Sequence, residues 1–229
     1  MWFLCDSGGY KTGYLELKSN RSSNSRRWLT RHIQDEYVQH AQRDGYRSRA
    51  AYKLLEIHKK YNLLQQSYLV VDLGAAPGSW CQIAANLVGS NGKVIGLDLL
   101  PITPIPGVIT IQSDFSTNDS LGQLGYTLER KLIDVVLSDM APNLTGIKTV
   151  DQSSTIYLCE LALDFCQYNL KQNGTLVIKI FHGAGFDDYL RNIRRMFRHV
   201  ICYKPKASRS ESKEVYLVAQ GFKKNNNLL

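Results

Sequence analysis

The sequence predicts an α/β fold: a mostly parallel seven-stranded sheet with helices on both faces and an antiparallel last strand. Three observations carry this. From residue 68 onward, short apolar runs alternate with helix-length segments, the pattern of a parallel sheet covered on both sides. The runs are near-continuous in Val, Ile and Leu, as strands buried on both faces require. The last two runs are joined by a polar turn, "PKASRSESK", too short for a helical crossover, so that pair must be antiparallel.

The elements follow in order. Residues 1–25 show no hydrophobic period ("SNRSSNSRR") and read as a poorly ordered basic extension. Residues 26–224 read as one domain, and 225–229 as a tail. The domain opens with a basic stretch, 26–64, that reads as helical. In its second half Ala51, Leu54, Leu55, His58 and Asn62 follow the i, i+3, i+4, i+7 spacing, with Tyr61 alongside and Lys53 beside the stripe. Strands are expected at 68–73, 93–97, 108–112, 132–137, 175–181, 199–204 and 214–219. Helices are expected near 79–89, 116–130, 151–171 and 186–197.

A chain of 229 residues fits one domain with appendages, and 44% hydrophobic residues supply its core. The net charge of +8 favours a polyanionic partner, RNA or DNA over an acidic protein. The cysteines, at 5, 81, 159, 166 and 202, are odd in number and form no CxxC pair. They read as small buried hydrophobes in a reducing compartment, neither a disulfide framework nor a zinc site. The N-terminus lacks the basic and apolar regions of a signal peptide, and no run approaches the ~18 apolar residues of a membrane span.

Open α/β sheets bind ligands outside the carboxyl ends of their strands. The first strand runs into "DLGAAPGSW", and the next three end at Asp98, Asp114 and Asp139. The fifth, "TLVIKIF", carries Lys179 in an otherwise apolar run, where an unpartnered ammonium costs several kcal/mol. Glu214 opens the last strand, on the same edge if that strand is antiparallel. Each has an ordinary explanation: the aspartates as turn or cap residues, Lys179 as a satisfied core lysine, Lys53 as a solvated helix lysine, Glu214 as a surface residue. Their joint placement at one end of successive strands is what points to a site, with Asp72 just inside it.

A glycine turn after the first strand, with an acid about 20 residues on at the end of the second, is how such folds hold a nucleoside. Gly74 and Gly78 allow close backbone approach, and Asp98 can accept from both ribose hydroxyls. The turn is not GxGxxG, which a dinucleotide pyrophosphate prefers. A nucleoside without phosphates fits better, and S-adenosylmethionine (SAM) is the common one. Asp114 would lie near the adenine amine, and Trp80 would line the pocket or pack on it.

The blocks "RSRAAYKL", "VVDLGAAPGSW", "GLDLLP", "SDMAPNLTG", "YLCELAL", "LVIKIFHGAGFDDYL" and "SKEVYLVA" run in order from about Arg27 to Lys224. In these blocks the chain resembles the FtsJ/RrmJ family of SAM-dependent RNA ribose 2'-O-methyltransferases, whose fold is Rossmann-like. The resemblance is strongest to the bacterial member that methylates a uridine in the A loop of large-subunit (23S) rRNA. It implies a Lys-Asp-Lys-Glu catalytic set at Lys53, Asp139, Lys179 and Glu214, with Lys179 as proton acceptor. It implies cofactor positions at Gly78, Trp80, Asp98, Asp114 and Asp139, SAM as cofactor, and rRNA of the 50S subunit as partner. It further implies a monomer in the cytoplasm, with no membrane and no metal. Ser79 stands where the family often has Gly, and residues 1–20 extend past the family's usual start.

An ordinary lysine is charged at neutral pH and cannot accept a proton. Apolar burial and a second nearby cation, such as Lys53, disfavour the ammonium; Asp139 pulls the other way. RNA contact is expected from the basic N-terminal region and from "RNIRRMFRH", where Arg191, Arg194, Arg195 and Arg198 share a helix with Leu190, Ile193 and Phe197. Three rivals stay open at this level: a tRNA ribose methyltransferase, an amino-methyltransferase (disfavoured because Asn143 stands where an aromatic should stack), and a non-catalytic ribosome-assembly factor.

Overall fold

The computed structural model describes residues 34–143 and 145–224. The expectations for residues 1–25 and for the tail at 225–229, and the stretch 26–33 of the first helical segment, lie outside the described residues. The chain divides between Asp35 and Glu36, and every element named below belongs to the second unit.

Among the described residues two helices precede the sheet, α1 (Glu36–Arg43) and α2 (Ala50–Tyr61). The single helical stretch expected here is broken at Asp44-Gly45. Gly45 takes a φ of +75°, open to glycine at little cost, and Tyr46 N–H turns back to the Ala41 carbonyl at 2.8 Å. In α2 the packed stripe is Ala51, Leu54 and Ile57, all fully buried, whereas Leu55 and His58 are only half-buried. The expected stripe is thus rotated toward Lys53, which borders the packed face.

Strands and helices then alternate: β1 (Leu69–Leu73), α3 (Ser79–Val88), β2 (Lys93–Asp98), β3 (Val108–Gln112), α4 (Asn118–Leu128), β4 (Ile133–Ser138), α5 (Lys148–Asn169), β5 (Leu170–Phe181), α6 (Phe186–Met196), β6 (Phe197–Tyr203) and β7 (Glu214–Phe222). They form one seven-stranded sheet ordered β3-β2-β1-β4-β5-β7-β6. The β1–β2, β1–β4, β2–β3 and β4–β5 pairs are parallel; β7 runs antiparallel to both β5 and β6. This is the fold the sequence predicts, with strand ends differing by a few residues. The largest difference is β5, which starts at Leu170, opposite Ile133 and ahead of an irregularity in the β4–β5 register.

Two cores flank the sheet. One gathers Leu73, Leu97, Val136, Ile178 and Ile180 under α4, α5 and α6; the other gathers Leu54, Ile57, Trp80, Val70 and Val177 under α2 and α3. The central strands are buried on both faces, which explains their unbroken apolar runs. Cys81, Cys159 and Cys166 are buried, as small hydrophobes should be, but Cys202 on the edge strand β6 is exposed. Among the described residues no helix is long and apolar enough to cross a membrane.

The stretch "RNIRRMFRH" is not one helix. α6 stops at Met196, and Phe197 and Arg198 begin β6. Phe197 pairs with Phe222 at the far end of β7, so Arg198 stands at the sheet edge opposite the one where β5 finishes and β7 starts.

Candidate active site

The register sets which residues meet. Leu73 lies beside Leu97 and Ser138, Ser138 beside Ile178, and Phe181 opposite Glu214. The ends of β1, β2, β4 and β5 and the start of β7 therefore share one edge. The strand order reverses between β1 and β4, the crevice where open α/β sheets hold ligands. The expected residues after β1, β2 and β4 lie at that edge together with Lys179 and Glu214.

Lys179 is 8% exposed and flanked in sequence by Ile178 and Ile180, both buried. Its ammonium is answered twice by one residue. Lys179 Nζ donates to the Asp139 backbone carbonyl at 2.6 Å and pairs with Asp139 Oδ1 at 2.9 Å. Partnering of this kind is what a buried charge requires. Asp139 N–H bonds the Leu73 carbonyl at 3.2 Å, fixing the loop that carries it to the end of β1. Burial works to raise the Asp139 pKa, but the charges of Lys179 and Lys53 and hydrogen bonds from Lys179 and Tyr216 outweigh it, so the carboxyl lies below its ordinary value.

Lys53 reaches the same edge from α2. Its Nζ pairs with Glu214 Oε1 at 2.8 Å, with the two side chains 11% and 12% exposed, and it donates to the Tyr216 hydroxyl at 3.1 Å. The Tyr216 hydroxyl in turn donates to Asp139 Oδ1 at 2.8 Å. Lys53, Asp139, Lys179 and Glu214 thus form one connected network, and Tyr216 is the link between its halves. The sequence reading did not single out Tyr216. The available signal was alternation: Tyr216 lies two residues past Glu214, on the same face of β7.

On the cofactor side, Asp98 Oδ2 accepts from Ala76 N–H at 2.9 Å and Oδ1 from Leu100 N–H at 2.8 Å. A carboxylate has about four lone-pair sites, so capacity for two hydroxyl donors remains. At both turn glycines the space a side chain would need is already filled by the protein. At Gly74 (φ +75°) a Cβ would fall 2.9 Å from the Met140 backbone, and at Gly78 (φ +106°) one would fall 2.6 Å from Ile105 and 2.9 Å from an Arg47 guanidinium nitrogen. Trp80 is a packing residue in its side chain: 3% exposed, its Nε1–H donates to the Ala50 carbonyl at 2.8 Å. Asp114 lies two residues beyond β3, exposed, and accepts from Ser116 N–H and its hydroxyl at 2.9 and 2.7 Å. Those bonds hold its carboxyl below the usual range.

Two further residues shape this side. Asp72 is fully buried, its Oδ1 has no hydrogen-bond partner, and its Oδ2 accepts from the Cys81 thiol at 3.2 Å. Burial pushes its pKa to about 8, with Asp139 and Asp98 adding to the rise against the Cys81 hydrogen bond. A buried polar atom without a partner costs ~1–3 kcal/mol, and a polar ligand or water in the crevice would relieve it. Arg47 fastens the loop after β2. It donates to the carbonyls of Pro77 (2.8 Å), Thr103 (2.7 Å) and Pro104 (2.9 Å). Arg49 bonds the Ala207 carbonyl. Both lie in the basic stretch 26–64; both are engaged within the domain.

A family model described as FtsJ-like methyltransferase matches residues 46–222, from the start of the Arg47 segment to the end of β7. The chain belongs to the FtsJ-like methyltransferase family. Among its relatives, the ribosomal RNA large subunit methyltransferase E of Alkalilimnicola ehrlichii is 53% identical over 205 residues, covering 90% of this chain and 98% of that protein. The protein of the same name from Marinobacter nauticus is 51% identical over 203 residues, covering 89% and 98%. A crystal structure of a Plasmodium falciparum protein described as a ribosomal RNA methyltransferase matches with a TM-score of 0.69 at 33% identity, covering 79% of this chain and 100% of that one. Within the methyltransferase, the matched segment spans the whole network from Lys53 to Tyr216 and every expected cofactor position.

Proposed function

We propose that this methyltransferase transfers a methyl group from SAM to the ribose 2'-hydroxyl of a uridine in the A loop of large-subunit (23S) rRNA, acting on the 50S subunit as a cytoplasmic monomer. The names of relatives at about half identity support the rRNA substrate. The observation that carries the reaction type is the convergence of Lys179, Asp139, Lys53 and Glu214 beyond the strand ends, next to a turn and a carboxylate suited to a nucleoside.

SAM, when bound, supplies a methyl group on a sulfonium, open to in-line attack by oxygen. Asp98 would accept from the ribose hydroxyls of the nucleoside and Asp114 from its adenine amine, with Gly78 in the turn and Trp80 packed in the first turn of the helix that follows. Asp72, protonated near neutral pH, would present the O–H of Oδ1 at the base of that turn. Asp139 holds the end of Lys179 by two oxygens and so sets where its nitrogen lies. Glu214 holds Lys53 through one carboxylate oxygen, Oε1. Lys53 is then placed to polarise the ribose hydroxyl, and Lys179 to accept its proton as the oxygen gains the methyl. Alignment of this kind supplies ~7–11 kcal/mol in well-oriented systems. The pairing with Asp139 suits an ammonium, so the base form of Lys179 requires that proton to leave first. Methyl transfer is therefore expected to quicken with rising pH.

The test is to incubate the protein with labelled SAM and large subunits from a strain lacking the modification, then map the labelled nucleotide. Label on a ribose of an A-loop uridine is the expected result. Label on tRNA but not on subunits sinks the rRNA assignment.

A further inference from the structure

Tyr216 is a buried residue with a hydroxyl inside the proposed catalytic network, and none of the roles above uses it. Its position follows from the sheet. β5 and β7 are antiparallel with Lys179 directly opposite Tyr216. Directly opposed residues present their side chains on one face within ~4.5–5.5 Å at Cβ. Glu214, two residues earlier, shares that face. The ring is fully buried, tilted against Trp80 with centroids 5.7 Å apart, and the Lys53 ammonium lies 5.5 Å from its centroid.

The hydrogen bonds through the hydroxyl have one possible polarity. Lys53 has only donors, and an ionised Asp139 has only acceptors. The hydroxyl must therefore accept from Lys53 and give its single proton to Asp139 Oδ1, the same oxygen that Lys179 engages. Two donors share one carboxylate oxygen. Each bond to that oxygen draws charge from the other, so the phenol weakens the hold of Asp139 on the Lys179 ammonium.

We propose that Tyr216 is a positioning residue for methyl transfer: its hydroxyl ties Lys53 to Asp139 and, by donating to Asp139, eases the release of the proton from Lys179. The proposal rests on the reading of Lys179 as the proton acceptor. The groups facing Lys179 are Asp139 beyond β4, Tyr216 and Glu214 on β7, Lys53 on α2 and Cys159 on α5, whose thiol donates to the Lys179 carbonyl at 3.4 Å. Burial pushes that thiol up to about 12, so it stays neutral through the working range. Asp72 lies on β1, one strand beyond β4, and titrates in both enzyme forms, so the comparison is made between variants and not on one profile.

The experiment is the single-turnover rate of methyl transfer to unmodified large subunits as a function of pH, for the wild type and Tyr216→Phe. The phenyl ring fills the same space, so a residue that only packs would leave the profile in place. The expected result is a rising limb displaced to higher pH. Tyr216→Phe then falls about tenfold near neutral pH for each unit of displacement and recovers as pH rises. Unchanged affinity for S-adenosylhomocysteine shows that the variant is folded. A loss that is the same at every pH, or superimposable profiles, overturns the proposal. Lys179→Ala is measured alongside. If it stays active, the proton-acceptor reading fails; if it is inactive while the Tyr216→Phe profile does not move, only the role of Tyr216 fails.

Discussion

Lys53 and Glu214, 161 residues apart in sequence, meet at 2.8 Å as an ion pair with each side chain about nine-tenths removed from solvent. One charge comes from α2 and the other from the first residue of β7, so the pair ties the helix before the sheet to its antiparallel strand. Removing one member leaves the other charge buried without its counter-ion, at a cost of ~3–5 kcal/mol for a fully buried pair. Tyr216 still accepts from Lys53, which keeps the cost near the lower figure. Glu214→Ala is expected to lower stability by about 3 kcal/mol in denaturant titrations and to reduce methyl transfer. The double variant Lys53→Met/Glu214→Leu should recover most of the stability and none of the activity.

The buried carboxyl of Asp72 makes a pH prediction. Its native pKa is raised to about 8 from an ordinary value of 3.8. Between these values the unfolded chain has lost the proton and the native state retains it. Its contribution to stability is therefore greatest below about pH 4 and declines as pH rises toward about 8. Asp72→Asn removes that decline. Its gain over the wild type should be near zero at about pH 4 and grow to a few kcal/mol by about pH 8 in thermal or denaturant unfolding. Because Asp72 is also proposed to serve the cofactor crevice, the same variant should bind SAM more weakly, a trade of activity for stability.

Arg47 spends its guanidinium on three backbone carbonyls, joining the glycine turn at Pro77 to the loop at Thr103 and Pro104. Arg47→Ala frees that loop beside Asp98 and should raise the KM for SAM about tenfold, or ~1.4 kcal/mol, with a smaller change in kcat. Arg47→Lys should not restore it, because a single ammonium nitrogen lacks the two-nitrogen fork that reaches Pro77 and Thr103 from one end and Pro104 from the other. Steady-state kinetics at saturating RNA separate the two parameters.

Much of this was legible in the sequence, and the rest was hidden for identifiable reasons. The sheet could be read because its central strands are buried on both faces and therefore uninterrupted, and Lys179 stood out because it interrupts one. Asp98 and Asp139 were visible as polar residues just past such strands. Tyr216 was not, because an aromatic in a buried strand is ordinary core; only the pairing of Lys179 with Tyr216 across two antiparallel strands gives its hydroxyl a role. Arg47 looked like one of a set of basic residues. Its bonds to carbonyls 30 and 57 residues away leave no local period to detect. Arg198 was placed on a helix because its apolar neighbours also fit a helical stripe, but the chain turns at Met196 into the edge strand.

The central claim is that Lys179 accepts the proton of the ribose hydroxyl. It is tested most directly by the methyl-transfer rate of Lys179→Ala on unmodified large subunits, with affinity for S-adenosylhomocysteine measured on the same preparation. A general base contributes ~10²–10⁴-fold, so a loss of at least about a hundredfold with intact binding is expected, and Lys179→Arg should fail equally because arginine keeps its proton. Near-normal transfer by Lys179→Ala, with binding unchanged, would contradict it.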